Sequence, residues 1–278
     1  MKYIKILFFI ALLPFTSSAQ YLEGGVFLGT SSYYGDLDPD NLNTEGLNFG
    51  YGIVAKYNLN DYVAIRASLL GGQLTGDDAL NDDERIRDRN LDFRSPIAEF
   101  AIIPEFNILG YNPYDRIFSP YVFAGIAFFR FNPQTDYEGQ TYQLQPLRTE
   151  GQGLPNRPTP YSLTEFAIPL GAGVKFSLTE SWNVSFEMAY RFTFTDYIDD
   201  VSSTYVDRDE LIAAYGETSA NLANRTSELY PNVDPVNAAG TSRGNATQND
   251  RYLFTGFTMT YNFLNGFGSR GYGCPNNF

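Results

Sequence analysis

Carboxylates are the most numerous residues in this chain with a capacity for chemistry: 32 Asp and Glu against 19 Lys and Arg, with one Cys and no His. Without an imidazole, Ser–His–Asp and Cys–His nucleophile pairs, His-ligated metals and haem ligation by His are all excluded. Adjacent acids such as Asp199-Asp200 have the residue types for general acid–base work, but no base partner accompanies them in the sequence. Gly76-Asp77-Asp78-Ala79-Leu80-Asn81-Asp82-Asp83-Glu84 offers clustered oxygen ligands of the kind Ca²⁺ takes. It lacks the spacing of a known calcium loop, and Arg85, Arg87 and Arg89 follow to balance it, which favours a solvated charge run. A net charge of −13 and a pI near 4.4 argue against a nucleic-acid partner. The residues therefore point to no catalytic, cofactor or metal site, and to a protein that is not an enzyme.

The charges that call for explanation lie inside alternating segments. Asn183 to Phe194 sets Val184, Phe186, Met188, Tyr190, Phe192 and Phe194 on one face and Asn183, Ser185, Glu187, Ala189, Arg191 and Thr193 on the other. That is period two over twelve residues, longer than an ordinary soluble strand. The device recurs in Tyr62–Thr75, Ser95–Leu109 and Leu163–Leu178, and less sharply in Tyr21–Thr30, Leu47–Leu59, Ser119–Phe131 and Arg251–Phe263. The non-apolar face carries five acids, Glu23, Glu99, Glu105, Glu165 and Glu187, and five bases, Lys56, Arg66, Arg130, Lys175 and Arg191. An equal count of both signs fits a packed interior of ion pairs better than a solvated surface, because buried charges persist only when paired.

The connections alternate as well. Asn58 to Asp61, Gly110 to Arg116 and Thr179 to Ser181 are short; 31–46, 76–92, 132–162 and 195–250 are long and polar. Long and short connections in turn are the signature of an eight-stranded antiparallel transmembrane β-barrel with long extracellular loops, short periplasmic turns and both ends in the periplasm. Its interior would be just wide enough to be filled by side chains, a plugged barrel and not a pore. A soluble exported sandwich or lipocalin-like barrel is the alternative. Aromatic clusters at Tyr33-Tyr34, Phe128-Phe129 with Phe131, and Phe192 with Phe194 and Tyr197 fit interfacial girdles in the membrane reading. Within the last long connection, Val206 to Leu229 predicts a short helix or two, with Asp207, Asp209 and Glu210 at a helix start.

The ends complete the organisation. Residues 1–19 read as a signal peptide: Lys2 and Lys5, an apolar run from Ile6 to Phe15 too short to span a bilayer, and small residues ending at Ala19. Residues 20–263 then form the barrel in the outer membrane, and 264–278 a periplasmic tail. The tail has Gly266, Gly268, Gly271 and Gly273 among Phe267, Arg270, Tyr272 and Phe278, a composition suited to docking on a partner, and it carries the lone Cys274. Tyr111, Asp115 and Arg116 of the second short turn join Phe267, Arg270, Tyr272 and Cys274 as partner-docking candidates.

Gly29-Thr30-Ser31-Ser32-Tyr33-Tyr34-Gly35-Asp36-Leu37 and Thr195-Asp196-Tyr197-Ile198-Asp199-Asp200-Val201-Ser202, together with the export signal, resemble the PorG family of small outer-membrane barrels from the Bacteroidetes type IX secretion system. The resemblance covers most of the chain in order and strand count. It implies a non-enzymatic component of that protein transport and gliding motility machinery, lodged in outer-membrane lipid, whose partners are the periplasmic secretion-ring proteins, the PorK/GldK lipoprotein and PorN/GldN. It brings no catalytic residues and no small-molecule substrate. A small porin-like channel and a surface adhesin or binding barrel are the competing readings.

Overall fold

The computed structural model describes residues 21–38, 46–113, 115–230 and 238–263. The expected signal peptide and periplasmic tail, with Phe267, Arg270, Tyr272 and Cys274, lie outside the described residues. The strands are β1 (Tyr21–Tyr34), β2 (Asn48–Asn58), β3 (Val63–Asp77), β4 (Asp92–Asn107), β5 (Phe118–Ala124), β6 (Ile126–Phe131), β7 (Gln134–Tyr137), β8 (Gln140–Gln143), β9 (Thr164–Ser177), β10 (Trp182–Thr193) and β11 (Arg251–Asn262). β5 and β6 are two halves of one strand. The register against β4 and β9 runs through the intervening Gly125 unbroken, and a Cβ there would come within 2.3 Å of the Ile102 carbonyl oxygen.

Every neighbouring pair is antiparallel, and β3 pairs with β4 as well as β2, so the sheet closes on itself in the order β1-β2-β3-β4-β5/β6-β9-β10-β11 and back to β1. This is a ring of eight strands, and the expected fold class is the observed one. Closure leaves no ring edge with unpaired backbone groups, the condition a β-structure must meet to cross lipid. Ring strands of up to 16 residues exceed the roughly 9–11 needed for a tilted span.

The faces settle which solvent lies outside. Outward side chains of β2 are Phe49, Tyr51, Ile53, Ala55 and Tyr57; those of β4 include Phe100, Ile102 and Phe106; those of β10 include Trp182, Phe186, Met188 and Phe192. Phe49 is 65% exposed and Phe257 59%, values no aqueous surface would sustain over a whole barrel wall. The inward positions of the same strands hold the charges. A closed barrel that is apolar outside and charged inside is a membrane-spanning barrel. Among the described residues no helix is long and apolar enough to cross a membrane.

At one end the turns are tight. Asn60 Oδ1 accepts from the backbone N–H groups of Tyr62 and Val63, and Thr179 Oγ1 accepts from that of Trp182, so short polar side chains replace the missing ladder bonds. At the other end the connections are long and structured. The third contains the β7–β8 hairpin. The fourth contains α2 (Arg208–Tyr215), α3 (Glu217–Ala223) and α4 (Thr226–Leu229), three short helices in place of the one or two expected, and the second contains α1 (Glu84–Arg87). Asp207 caps α2 by accepting from the N–H groups of Asp209 and Glu210.

The girdle expectation needs correction. Phe129 and Phe131 point inward and are buried, because the inward phase of the split strand falls on odd residues; Phe128 alone of that cluster faces out. Tyr33 is buried inside the barrel end and Tyr34 packs against Tyr190, while Phe192 and Phe194 do face outward. Tyr197, half-buried, stacks on Tyr161 at 4.6 Å, within the loops.

Candidate functional site

The lumen is built in layers. Next to the short turns, Glu23 accepts from Asn58 Nδ2 (2.7 Å) and Thr260 Oγ1 (2.6 Å), and Tyr111 donates to Asn183 Oδ1 at 2.6 Å. Above this, Glu105 gathers three cations: Lys56 at 2.9 Å, Lys175 at 3.0 Å and Arg66 at 3.3 Å. Arg66 reaches on to Glu187 at 2.5 Å, and Tyr121 donates to the same carboxylate at 2.6 Å. The Lys175 ammonium lies 4.4 Å from the centre of the Tyr121 ring and the Arg66 guanidinium 4.7 Å from that of Phe123. In the next layer Arg191 binds Glu99 through two nitrogens, at 3.0 and 3.1 Å, and Tyr252 donates to Glu99 at 2.8 Å. Phe27, Leu74, Phe93, Ile97, Phe129, Phe131 and Phe254 then fill the lumen toward the long loops.

Eight of the ten expected lumen charges are thus buried in the barrel: Glu23, Glu99, Glu105 and Glu187 with Lys56, Arg66, Lys175 and Arg191. The two exceptions are one of each sign. Arg130 points outward and is exposed, since it lies one residue out of phase with Phe129 and Phe131; Glu165 is inward but half-buried near the loop end. Balance survives at four and four, which is what burial demands. Tyr111, expected at the docking surface, is 1% exposed and closes the floor of the lumen; Asp115 and Arg116 of that turn are exposed.

A second cluster, which sequence reasoning did not assemble, joins all four long loops. Tyr33 Oη lies 2.6 Å from Asp199 Oδ2 and 2.8 Å from Asp250 Oδ1. The hydroxyl has one hydrogen and donates to one carboxylate only, so the second contact requires a protonated carboxyl that donates back. Gly35 backs this contact: a Cβ there would fall 2.0 Å from both Asp250 Oδ1 and Tyr33 Oη. Arg89 holds Asp78 through two nitrogens (2.5 and 2.7 Å) and donates to the backbone of Asp36 and Arg243. Asp78 is therefore a buried link between loops, and the acidic stretch at 76–84 is not solvated throughout. Glu150 accepts from Ser202 N, Ser203 N, Ser203 Oγ and Arg243 Nη1, and Asp200 accepts from Thr149 and Tyr161.

Acids outnumber bases in this cap, and their ionisation shows it. Asp196 is pushed up to about 7, chiefly by burial, with Asp36 and Glu150 adding repulsion and Ser202 opposing. Asp200 is raised to about 6 by burial, against the pull of Arg243. Asp199 and Asp250 are held well above the usual carboxylate range, by burial first and then by neighbouring acids. Among the described residues no group of three or more acids or Cys is placed to hold a metal ion.

Together the closed wall, the neutral packed lumen and the knitted loops define a sealed eight-stranded barrel of the outer-membrane type. The chain belongs to the family described as a domain of unknown function, DUF6089, whose model matches residues 1–221. No curated protein matches it. Among solved structures it is similar to Neisserial surface protein A (12% identity, TM-score 0.39, 88% of this chain and 97% of that one). It is also similar to Ail, the attachment invasion locus protein of Yersinia pestis, in complex with a heparin analogue (9%, 0.38, 88% and 97%). A third is the N-terminal β-barrel domain of Pseudomonas aeruginosa OprF (12%, 0.36, 87% and 97%). At these values the likenesses carry no functional conclusion.

Two outcomes follow. Arg191→Ala leaves Glu99 buried without a cation and should cost about 3–5 kcal/mol, seen as a lower temperature for the heat-modifiable gel shift; Glu187→Ala, which leaves Arg66 only its 3.3 Å contact with Glu105, should lower that temperature by less. Replacing both members of the Arg191–Glu99 pair with apolar residues should cost less than Arg191→Ala; equal or greater loss would contradict pairing. In the cap, carboxyls with raised pKa bind protons more tightly folded than unfolded. That contribution is present below the ordinary carboxylate range and is lost as pH rises through about 6 to 7. Hydrogen exchange of 195–201, corrected for intrinsic rates, should show more opening at pH 8 than at pH 5, and Asp196→Asn should flatten the difference. An opening equilibrium independent of pH would refute it.

Proposed function

We propose that this barrel is a non-enzymatic component of the type IX protein secretion and gliding machinery, lodged in the outer membrane, where it anchors or positions the periplasmic secretion ring. The observation that carries the reading is that the two segments behind the sequence resemblance form one structural unit. Tyr33 of the first meets Asp199 of the second, 166 residues away, and Asp36 accepts from the N–H of Asn245, further along the same long connection. A signature that closes a cap is a structural signature, as befits a scaffold. The packed lumen supports the same reading over that of a porin-like channel, since four acids and four bases fill the space a solute would need.

With termini and short turns on the periplasmic side, the ring can meet only those turns and the tail. Asp115 and Arg116 are exposed there, and the remaining candidates are Phe267, Arg270, Tyr272 and Cys274 of the tail. The test is a detergent pull-down of the tagged protein from its native membrane with mass spectrometry. The ring lipoprotein and its periplasmic companion should co-purify. Asp115→Ala with Arg116→Ala, or deletion of 268–278, should reduce their recovery while the heat-modifiable shift stays normal. If wild-type protein brings down neither, the secretion role is wrong; if both variants retain the ring fully, the contact surface is wrong.

A further inference from the structure

The outward face of the ring strands is apolar except at one end. Its charged residues among the described positions are Asp77, Asp92, Arg94, Arg130 and Arg251, all at the long-loop ends of their strands. Three of these already have partners. Asp77 accepts from Ala79 N, Asp92 binds Arg225 and Thr135, and Arg94 binds Asp136 at 2.5 and 2.7 Å. Arg130 and Arg251 have no carboxylate within ion-pair distance among the described residues, in a chain whose net charge is −13. Each stands at the upper limit of the apolar wall with aromatic rings beside it. Arg130 is paired in register with Thr164, one outward step above the packed Phe128–Phe166 rings (4.1 Å). Arg251 pairs with Phe192 and Tyr34, and its guanidinium lies 5.4 Å from the centre of the Phe192 ring.

An unpaired guanidinium that faces lipid at the end of a hydrocarbon-matched band meets headgroups, not water alone. Its stem lies along the apolar wall and its fork presents parallel donors to a phosphate, which it binds in bidentate fashion. At Arg251 the Phe192 ring beside it shields the contact and adds cation–π attraction. We propose that Arg130 and Arg251 are two binding sites for the phosphate of an anionic lipid headgroup in the leaflet on the long-loop side. They lie three strand spacings apart on the ring, about 14 Å, so each takes its own phosphate. The sites need only the membrane-spanning barrel and are independent of any role in secretion.

Nanodiscs of phosphatidylcholine doped with bis-phosphorylated lipid A provide the test, with retained lipid counted by native mass spectrometry after mild delipidation. Wild type should retain lipid A; Arg130→Gln and Arg251→Gln should each lose part of it, and the double variant should fall at least tenfold. Both side chains point away from the lumen network, so the heat-modifiable shift should be unchanged. Arg130→Lys with Arg251→Lys keeps charge without the fork and should retain an intermediate amount. Equal retention by wild type and the double glutamine variant overturns the assignment. So does equal retention of dephosphorylated lipid A by wild type, which would show that phosphate is not what is recognised.

Discussion

Four acids and four bases must be held inside a ring of eight strands, three of the acids by ion pairs and Glu23 by neutral donors, and that constraint organises the rest of the molecule. A carboxylate or ammonium stripped of water in a side-chain-filled lumen is tolerated only beside an opposite charge or fixed hydrogen-bonding partners. Glu105 meets this by gathering Lys56, Lys175 and Arg66, Glu187 by sharing Arg66 and accepting from Tyr121, and Glu99 by its two-nitrogen contact with Arg191 and its bond from Tyr252. The partners come from β2, β3, β4, β5, β9, β10 and β11, so the network ties nearly the whole circumference together from within. Strand register is thereby fixed twice, by the ladder and by the charges: a slip of one residue would turn a paired charge out into lipid.

From that interior the remaining features follow as responses to two different solvents. Lipid outside requires an apolar wall and a closed ladder, and both are present. Water beyond the membrane would meet the open upper end, which is stopped first by an apolar layer around Phe129, Phe131 and Phe93 and then by the loop cap. The cap uses a different principle from the lumen. Arg89, Arg225 and Arg243 are its buried bases against a larger number of buried acids, so protons stand in for the missing cations, as the shared contact of Tyr33 with Asp199 and Asp250 requires. The lumen is balanced by composition, whereas the cap lowers its excess of acid charge by protonation.

Legibility in the sequence tracked the reach of each signal. All eight spanning segments were visible, in order, because period-two alternation is local; β10 was read as Asn183–Phe194 and is Trp182–Thr193. Arg130 was misplaced for a physical reason. In Ile126-Ala127-Phe128-Phe129-Arg130-Phe131 both faces are apolar, since the upper lumen is an aromatic plug, and alternation of polarity then gives no phase. Tyr111 was misread because a turn residue can fold back into the barrel mouth, which spacing does not reveal. The cap was invisible as a unit: Tyr33 meets partners 166 and 217 residues away, and only the closed ring brings them together. The one available sign was that both segments lie at strand ends: the first runs over the end of β1 at Tyr34, and the second starts just past the end of β10 at Thr193.

A barrel whose inside is spent on holding itself together is suited to be a fixed point in the membrane, with its contacts to other molecules confined to its rims. The claim beneath this is that the charged lumen is sealed. Single-channel recording of the purified wild-type barrel in a planar lipid bilayer measures it directly. A sealed lumen gives no stable conductance steps at physiological salt over the usual voltage range. A reproducible ohmic conductance from the folded wild-type monomer would mean that water and ions pass among Glu105, Arg66 and Arg191, and would contradict it.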